Sequence, residues 1–380
     1  MAPRFEVLAR DGRARRGRLR TAHGDVETPA FMPVGTLGAV KGVTPGQLEA
    51  AGASVLLANL YHLALRPGID VVERLGGLHE FTGWRRALLT DSGGFQVWSL
   101  AALREVDEAG VSFRSHLDGA LLRFTPEGVV GDQERLGVDV AMALDECLPW
   151  PVAEAEAAAA LERTLRWAER SLAARRDGGR SALFGIAQGS SFRRLRERAA
   201  QRLAELPFDG YAIGGVSVGE PPAERRAVVE WTAAALPEER PRYLMGVGTP
   251  EEIVHAVAQG VDLFDCVLPA RNGRHGVLYT RGGVLKIKNA RYRDDPAPPD
   301  PACGCEVCRR SSRAFVHHLM RSGEITGPVL ATLHNLRFFL DFMGELREAI
   351  ESRRLGERAR SGALDPADDN RSEIPAAPQT

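Results

Sequence analysis

Eight short apolar runs punctuate the chain, over residues 30–34, 54–59, 87–90, 138–144, 182–187, 210–213, 242–246 and 261–267. Each is too short for an ordinary helix and is bounded by turn-forming residues, so each predicts a buried strand. Helical patterns lie between most of them. Thr44-Pro45-Gly46-Gln47 and Thr249-Pro250-Glu251-Glu252 both read as capping boxes with proline at the first helical position. The stretch 152–176 is rich in Ala, Leu, Glu and Arg and stops at Gly178-Gly179. Eight strands alternating with helices predict an α/β fold, a (β/α)8 TIM barrel. A doubly wound open sheet is the rival, but the first strands carry no dinucleotide fingerprint.

Two stretches exceed a minimal barrel. Residues 103–124 alternate and turn at Asp118-Gly119, which predicts a hairpin after the third strand. Residues 271–335 follow the eighth strand and carry three of the five cysteines, which predicts an inserted zinc-binding subdomain. The expected division is therefore a barrel over 1–270, the subdomain over 271–335, a closing helix over 336–355 and a disordered tail over 356–380. That tail is polar and rich in Pro, Ala and Asp.

Composition narrows the class. Hydrophobic residues make up 44% and charged residues 26%, an ordinary globular balance. No apolar run approaches the ~18 residues of a membrane span. The Arg-rich start has no apolar stretch behind it, so no signal peptide is read and the expected compartment is the cytoplasm. The net charge of −1 argues against a polyanionic partner until its distribution is examined. Residues 271–313 hold ten basic and four acidic side chains, a local +6 against −7 for the rest. Such a patch suits a polyanion, although a solvated loop in an Arg-rich chain fits the composition equally.

Candidate chemistry gathers where barrel strands end, because the loops there share one face. The third strand runs into Thr90-Asp91-Ser92-Gly93-Gly94-Phe95-Gln96, the fourth into Asp145-Glu146-Cys147 and the fifth into Gln188-Gly189. The sixth ends in Gly214-Gly215-Val216-Ser217-Val218-Gly219-Glu220, and the eighth carries Asp265 inside an apolar run. Taken singly, Asp91 or Asp145 reads as a helix or loop cap. Asp265 does not, because an unpaired carboxylate is costly to bury. Three carboxylates and an amide on one face point to an enzyme with an acidic pocket. The paired glycines allow close approach to the backbone there.

Cys303-x-Cys305-x2-Cys308 signals zinc in a reducing compartment. A fourth ligand is needed, and His317, His318 and His334 all qualify by position. Four protein ligands would make the site closed and structural. Cys147 and Cys266 stand alone and read as buried thiols.

Together these segments resemble the bacterial tRNA-guanine transglycosylase (queuine tRNA-ribosyltransferase) family, from about Phe31 to Leu340. The resemblance is carried by NLYHLALRPG from Asn59, TDSGGFQ from Thr90, ALDEC from Ala143, GIAQG from Gly185 and GGVSVGE from Gly214. MGVGTP from Met245, DLFDCVLPARNGRHG from Asp262 and the pattern Cys-x-Cys-x2-Cys-x25-His complete it. Their joint order and spacing make the resemblance specific.

What the resemblance implies is a zinc-containing (β/α)8 barrel that replaces the wobble guanine of tRNAs with a G-U-N anticodon, those for aspartate, asparagine, histidine and tyrosine. The incoming base in bacteria is the queuosine precursor 7-aminomethyl-7-deazaguanine. By motif, Asp265 corresponds to the nucleophile at ribose C1′ and Asp91 to the general acid/base. Asp145, Gln188 and the backbone at Gly215 correspond to the base-recognition set, with Phe95 and Met245 sandwiching the ring. Arg271 and Arg274 correspond to residues that grip the anticodon. The resemblance also selects His334 as the fourth ligand to one structural Zn2+ per chain, and implies a homodimer with the zinc subdomain and the Lys41 region near the interface.

Four positions depart from the family pattern: Phe95 replaces a tyrosine, Leu60 and Ala270 each replace a threonine, and Ser217 replaces an alanine. Val218 and Cys147 follow the bacterial form. Three rivals are disfavoured. A non-catalytic partner subunit would lack the nucleophile, the archaeal D-arm enzyme carries a further C-terminal RNA-binding domain, and a metallohydrolase needs an open coordination position.

Overall fold

Pro33 splits the first barrel strand in two, and the split shows how the barrel closes. In the computed structural model, which describes residues 4–94, 104–115, 119–176 and 179–360, Ala30–Met32 pairs with the eighth strand, Leu263–Asp265. Beyond the proline, Val34–Gly35 pairs with the second strand, Val55–Ala58. Proline has no N–H to give a ladder, but its carbonyl accepts from Leu57 N at 3.0 Å. Between these ends run Ala87–Thr90, Val140–Met142, Ala182–Ala187, Gly210–Ile213 and Arg242–Leu244, all parallel and in sequence order. The eight expected strands are all present, and closure excludes the open-sheet rival.

Alternation along the strands sorts their side chains into two layers. Met32, Leu57, Leu89, Met142, Phe184, Ile186 and Tyr243 face inward. Phe31, Leu56, Leu88, Leu183, Ile213 and Phe264 face the surrounding helices. The expected caps form: Thr44 Oγ1 accepts from Gln47 N at 3.3 Å while Gln47 Oε1 accepts from Thr44 N at 2.9 Å. Thr249 Oγ1 accepts from Glu252 N. No helix among the described residues is long and apolar enough to cross a membrane.

Several elements go beyond the sequence pattern. An antiparallel sheet of Arg4–Asp11, Ala14–Thr21 and Gly24–Thr28 precedes the barrel. Its Leu19 and Val26 join the inward-facing layer, so it plugs one end of the barrel. Arg15, fully buried, binds Asp262 through two hydrogen bonds of 2.9 and 2.5 Å. The segment after the third strand forms three strands rather than two, Arg104–Asp107, Gly110–Arg114 and Leu121–Phe124. Asp118 of the expected turn lies outside the described residues.

A single helix, Thr326–Glu351, holds His334 near its start and then packs along the barrel. The expected boundary at 335/336 falls inside it. A short helix, Leu355–Arg360, opens the expected tail; residues 361–380 lie outside the described residues.

Candidate active site

Asp91, Asp145, Gln188, Gly215, Met245 and Asp265 all come from the C-terminal ends of barrel strands, which places them on one face. Asp265 is the last residue of the eighth strand. Its Oδ1 accepts from Tyr243 Oη at 2.6 Å and from Gly246 N at 2.7 Å. Among the described residues, Oδ2 accepts no hydrogen bond. One oxygen is thus tethered and the other is available. Enclosure raises the carboxyl above its usual range, against the pull of the two donors. It also drives the Tyr243 phenol well up, with help from the Asp265 charge.

Asp91 sits one residue beyond the third strand. Its Oδ1 accepts from Leu60 N at 2.9 Å and its Oδ2 from the Asn59 amide. Because Leu60 contributes its main-chain N–H, the departure from threonine leaves this contact intact. Burial, reinforced by the charge of Asp265, pushes Asp91 up to about 7.

Asp145, buried, accepts from Ser92 Oγ at 2.9 Å and from Gln188 Nε2 at 2.6 Å. Burial pushes it up to about 6 despite these donors. The glycines make room for this pair. A Cβ on Gly94 would lie 1.9 Å from Asp145 Oδ1, and one on Gly215, whose φ is +60°, would lie 2.2 Å from Gln188 Oε1. The close approach expected of a ligand is made first by the protein's own Asp145 and Gln188 side chains. Phe95 lies outside the described residues.

Next to this face, Leu268–His275 forms a helix carrying Arg271 and Arg274. Neither makes an ion pair among the described residues, and burial together with the neighbouring Arg271 charge lowers Arg274. Unneutralised guanidinium groups beside the pocket suit an anionic partner.

The four ligand atoms of Cys303, Cys305, Cys308 and His334 lie within 4.8 Å of one another, so the cluster could hold a metal ion. All three cysteines are free thiols. His334 Nε2 lies 2.8 Å from Tyr279 O, which fixes the proton there and leaves the Nδ1 lone pair facing the sulfurs, 3.3 Å from Cys308 Sγ and 3.7 Å from Cys305 Sγ. His317 is engaged with Ile287 O at 2.8 Å instead, and His318 lies beside Ser322.

A family model described as queuine tRNA-ribosyltransferase matches residues 11–363. The chain belongs to this family. It is similar to the queuine tRNA-ribosyltransferase of Nitrosomonas europaea, at 52% identity over 94% of this chain and 96% of the relative. The protein of that name from Desulforudis audaxviator is 53% identical over 96% and 99%, and that from Aromatoleum aromaticum 54% over 93% and 96%. Membership makes the chain a pentosyltransferase, of a family that acts on tRNA.

This ribosyltransferase site relies on residues that spacing alone did not single out. Tyr243 sits in an apolar strand with nothing local to mark it. Arg196, fully buried on Arg193–Ala204, donates to Ala187 O, Ser190 O, Gly214 O and Gly215 O at 2.6–3.0 Å. It thereby fixes the fifth-strand and sixth-strand loops against each other. Glu220 accepts from Ser217 N and Val218 N at 2.5 and 2.9 Å. Asn59 was visible only as part of a motif.

Proposed function

We propose that this chain is a tRNA-guanine transglycosylase of queuosine synthesis, exchanging the wobble guanine of G-U-N anticodon tRNAs for 7-aminomethyl-7-deazaguanine by double displacement. The observation that carries it is Asp265, held by one oxygen with the other free, on the same face as Asp91 and the Asp145–Gln188 pair. Asp265 Oδ2 attacks ribose C1′ as the C1′–N9 bond breaks, and the oxocarbenium-like centre is trapped as a covalent ribosyl ester. Asp91 gives its proton to the departing guanine. The entering base returns a proton to Asp91 as its N9 bonds C1′ and the ester breaks, so configuration is retained. A group titrating near 7 is suited to both transfers at neutral pH.

Asp145 as carboxylate accepts from N1–H and the 2-amino group, an edge that guanine and the deazaguanine share. Gln188 and the Gly215 backbone complete the set, while Met245 and Phe95 stack on the ring. The target base must leave its stack, which an anticodon loop permits cheaply. Arg271 and Arg274 hold the flanking nucleotides. Cys147 and Val218 favour the aminomethyl precursor over queuine.

Cys303, Cys305, Cys308 and His334 would hold one structural Zn2+, which supplies a cross-link and no open coordination position. Residues 271–335 then act as a zinc-braced, RNA-facing subdomain. The protein works in the cytoplasm as a homodimer. Exposed Leu37 and Ile325 support an interface near Lys41, since Gly42 packs against Val329 on the long helix.

The deciding experiment is incorporation of labelled guanine into unmodified G-U-N tRNA, with the same tRNA carrying a replaced wobble base as control. Label confined to the first RNA is expected. Equal labelling of both, or none with folded protein, overturns the assignment.

Asp145 gives a pH test. Below about pH 6 it is protonated and loses an acceptor, so kcat/KM for guanine falls on the acid side. Asp145→Asn should lower kcat/KM about 100-fold at pH 7.5, on the order of one hydrogen bond to a charged group. It should also remove that limb of the profile. An unchanged acid limb in the variant would reassign it to another group. For stability the sign is opposite. A raised carboxyl favours the protonated fold, so this contribution is lost as pH rises through about 6 to 7.

A further inference from the structure

At the end of the barrel opposite Asp145, three metal-ligating side chains meet that the exchange reaction does not use. Asp139 immediately precedes the fourth strand and is 2% exposed. Its Oδ1 lies 2.9 Å from His23 Nδ1, and its Oδ2 lies 3.4 Å from His79 Nε2 while also accepting from Leu88 N at 2.9 Å. His23 comes from the turn between the second and third strands of the N-terminal sheet. The two imidazoles stack at 3.5 Å, and each places a ring nitrogen against this one carboxylate.

His79 is the informative residue. It is 7% exposed, and its Nδ1 lies 3.0 Å from Trp84 O. A carbonyl only accepts, so Nδ1 carries the proton and Nε2 of the neutral ring presents a lone pair. That buried Nε2 has no hydrogen-bond partner, and it faces a carboxylate oxygen across 3.4 Å. Two lone pairs directed at each other need a positive species between them. That species is either a proton on Nε2, giving a charged hydrogen bond to Oδ2, or an ion shared by all three side chains, and the convergence of His23, His79 and Asp139 points to the ion. The three ligand atoms all lie within 4.8 Å of one another. Atoms each ~2.05 Å from a tetrahedral ion are separated by about 3.3 Å, and the observed 2.9 and 3.4 Å bracket that value.

We propose that His23, His79 and Asp139 form a second metal site, for a zinc-class divalent ion. Two imidazoles and a carboxylate without thiolate are the donors such an ion takes. Water fills the fourth position from the adjoining groove of about 610 Å³, which His23, His79, Glu80 and Arg176 help to line. Standing at the N-terminal end of the strands, the site braces the fold rather than the chemistry. It fastens the sheet that plugs the barrel to the third- and fourth-strand regions it covers.

The test uses full-length protein whose Cys3His centre is already zinc-loaded. After equilibration with excess Zn2+ and desalting, two ions per chain are expected by elemental analysis. Co2+ added to the zinc-loaded protein should give a second equivalent with ligand-field bands and no thiolate charge-transfer band. His23→Ala, on a surface turn, should weaken this ion at least tenfold while retaining the first ion and normal base exchange. His79→Gln should do the same from the buried side. One ion per chain at saturating zinc overturns the proposal and leaves a hydrogen-bonded His–Asp–His cluster. So does a second ion that both variants hold as tightly as the parent, or a cobalt spectrum with thiolate character.

Discussion

Asp265→Ala is expected to abolish guanine exchange and the covalent RNA adduct, with a loss of at least ~10⁴ in kcat, the scale of deleting a nucleophile. Binding of tRNA should change by less than about threefold, because the proposed function assigns the phosphates to the basic segment after the eighth strand and not to Asp265. The alanine variant also leaves the Tyr243 hydroxyl and the Gly246 N–H without their acceptor, at a cost of ~1–3 kcal/mol. Asp265→Asn preserves an oxygen for both donors and removes only the charge and nucleophilicity. The pair therefore separates chemistry from folding. Both variants should form no adduct in denaturing gels with labelled tRNA, while the asparagine form keeps the parent melting temperature. Turnover retained by either would remove Asp265 from the reaction.

Cys305→Ser is expected to release the metal of the Cys3His cluster and lower Tm by roughly 5–10 °C, a few kcal/mol for a chain of this size. The effect should reach beyond the cluster. His334 is tied to Tyr279 O, and the adjacent Asn335, fully buried, accepts from Tyr279 N at 3.0 Å and donates to Pro269 O and Val277 O at 3.0 and 2.9 Å. Pro269 lies four residues from Asp265 and at the start of the helix bearing Arg271 and Arg274. Freed ligands would loosen that helix, so KM for tRNA should rise before kcat falls. Normal metal content and an unchanged Tm would refute the assignment of Cys305 as a ligand.

The barrel was legible because its strands are buried on both sides and appear as bare apolar runs between turn residues. The N-terminal sheet was not. Its strands carry Arg10, Arg15, Arg16, Arg18 and Arg20, and an arginine in sequence does not reveal that Arg15 is wholly buried against Asp262, 247 positions away. The long helix starts ten residues before the expected position because its first turn, with Gly327 and Pro328, has the composition of a loop, although proline is tolerated there. The carboxylates of the site could be found as polar residues ending apolar runs. Their holders could not. Asn59, Tyr243 and Arg196 act across the fold, and nothing in their own neighbourhood distinguishes them from a cap, a core aromatic and a surface cation. Spacing leaves three histidines open for the fourth ligand, and proximity to the sulfurs separates them, since His334 Nδ1 lies 3.3 Å from Cys308 Sγ.

The seam at Pro33 bears on how the chain is made. The first strand finds one of its two neighbours only when residues 263–265 exist, and the N-terminal sheet is clasped later still. Arg347 Nη1 binds Pro29 O at 2.7 Å, Arg16 pairs with Glu351, and Leu355 N donates to Asp11 at 2.9 Å. On the ribosome, a chain short of the eighth strand therefore carries two open sheet edges, at Ala30–Met32 and at the newest strand. Closure waits on the pairing of Ala30 with Leu263, and the clasp on contacts more than 300 residues apart in sequence, the kind that form slowly. The nascent protein must be shielded from edge-to-edge pairing until its eighth strand is available, because the pairing of Leu263–Asp265 with Ala30–Met32 is the step that completes the barrel.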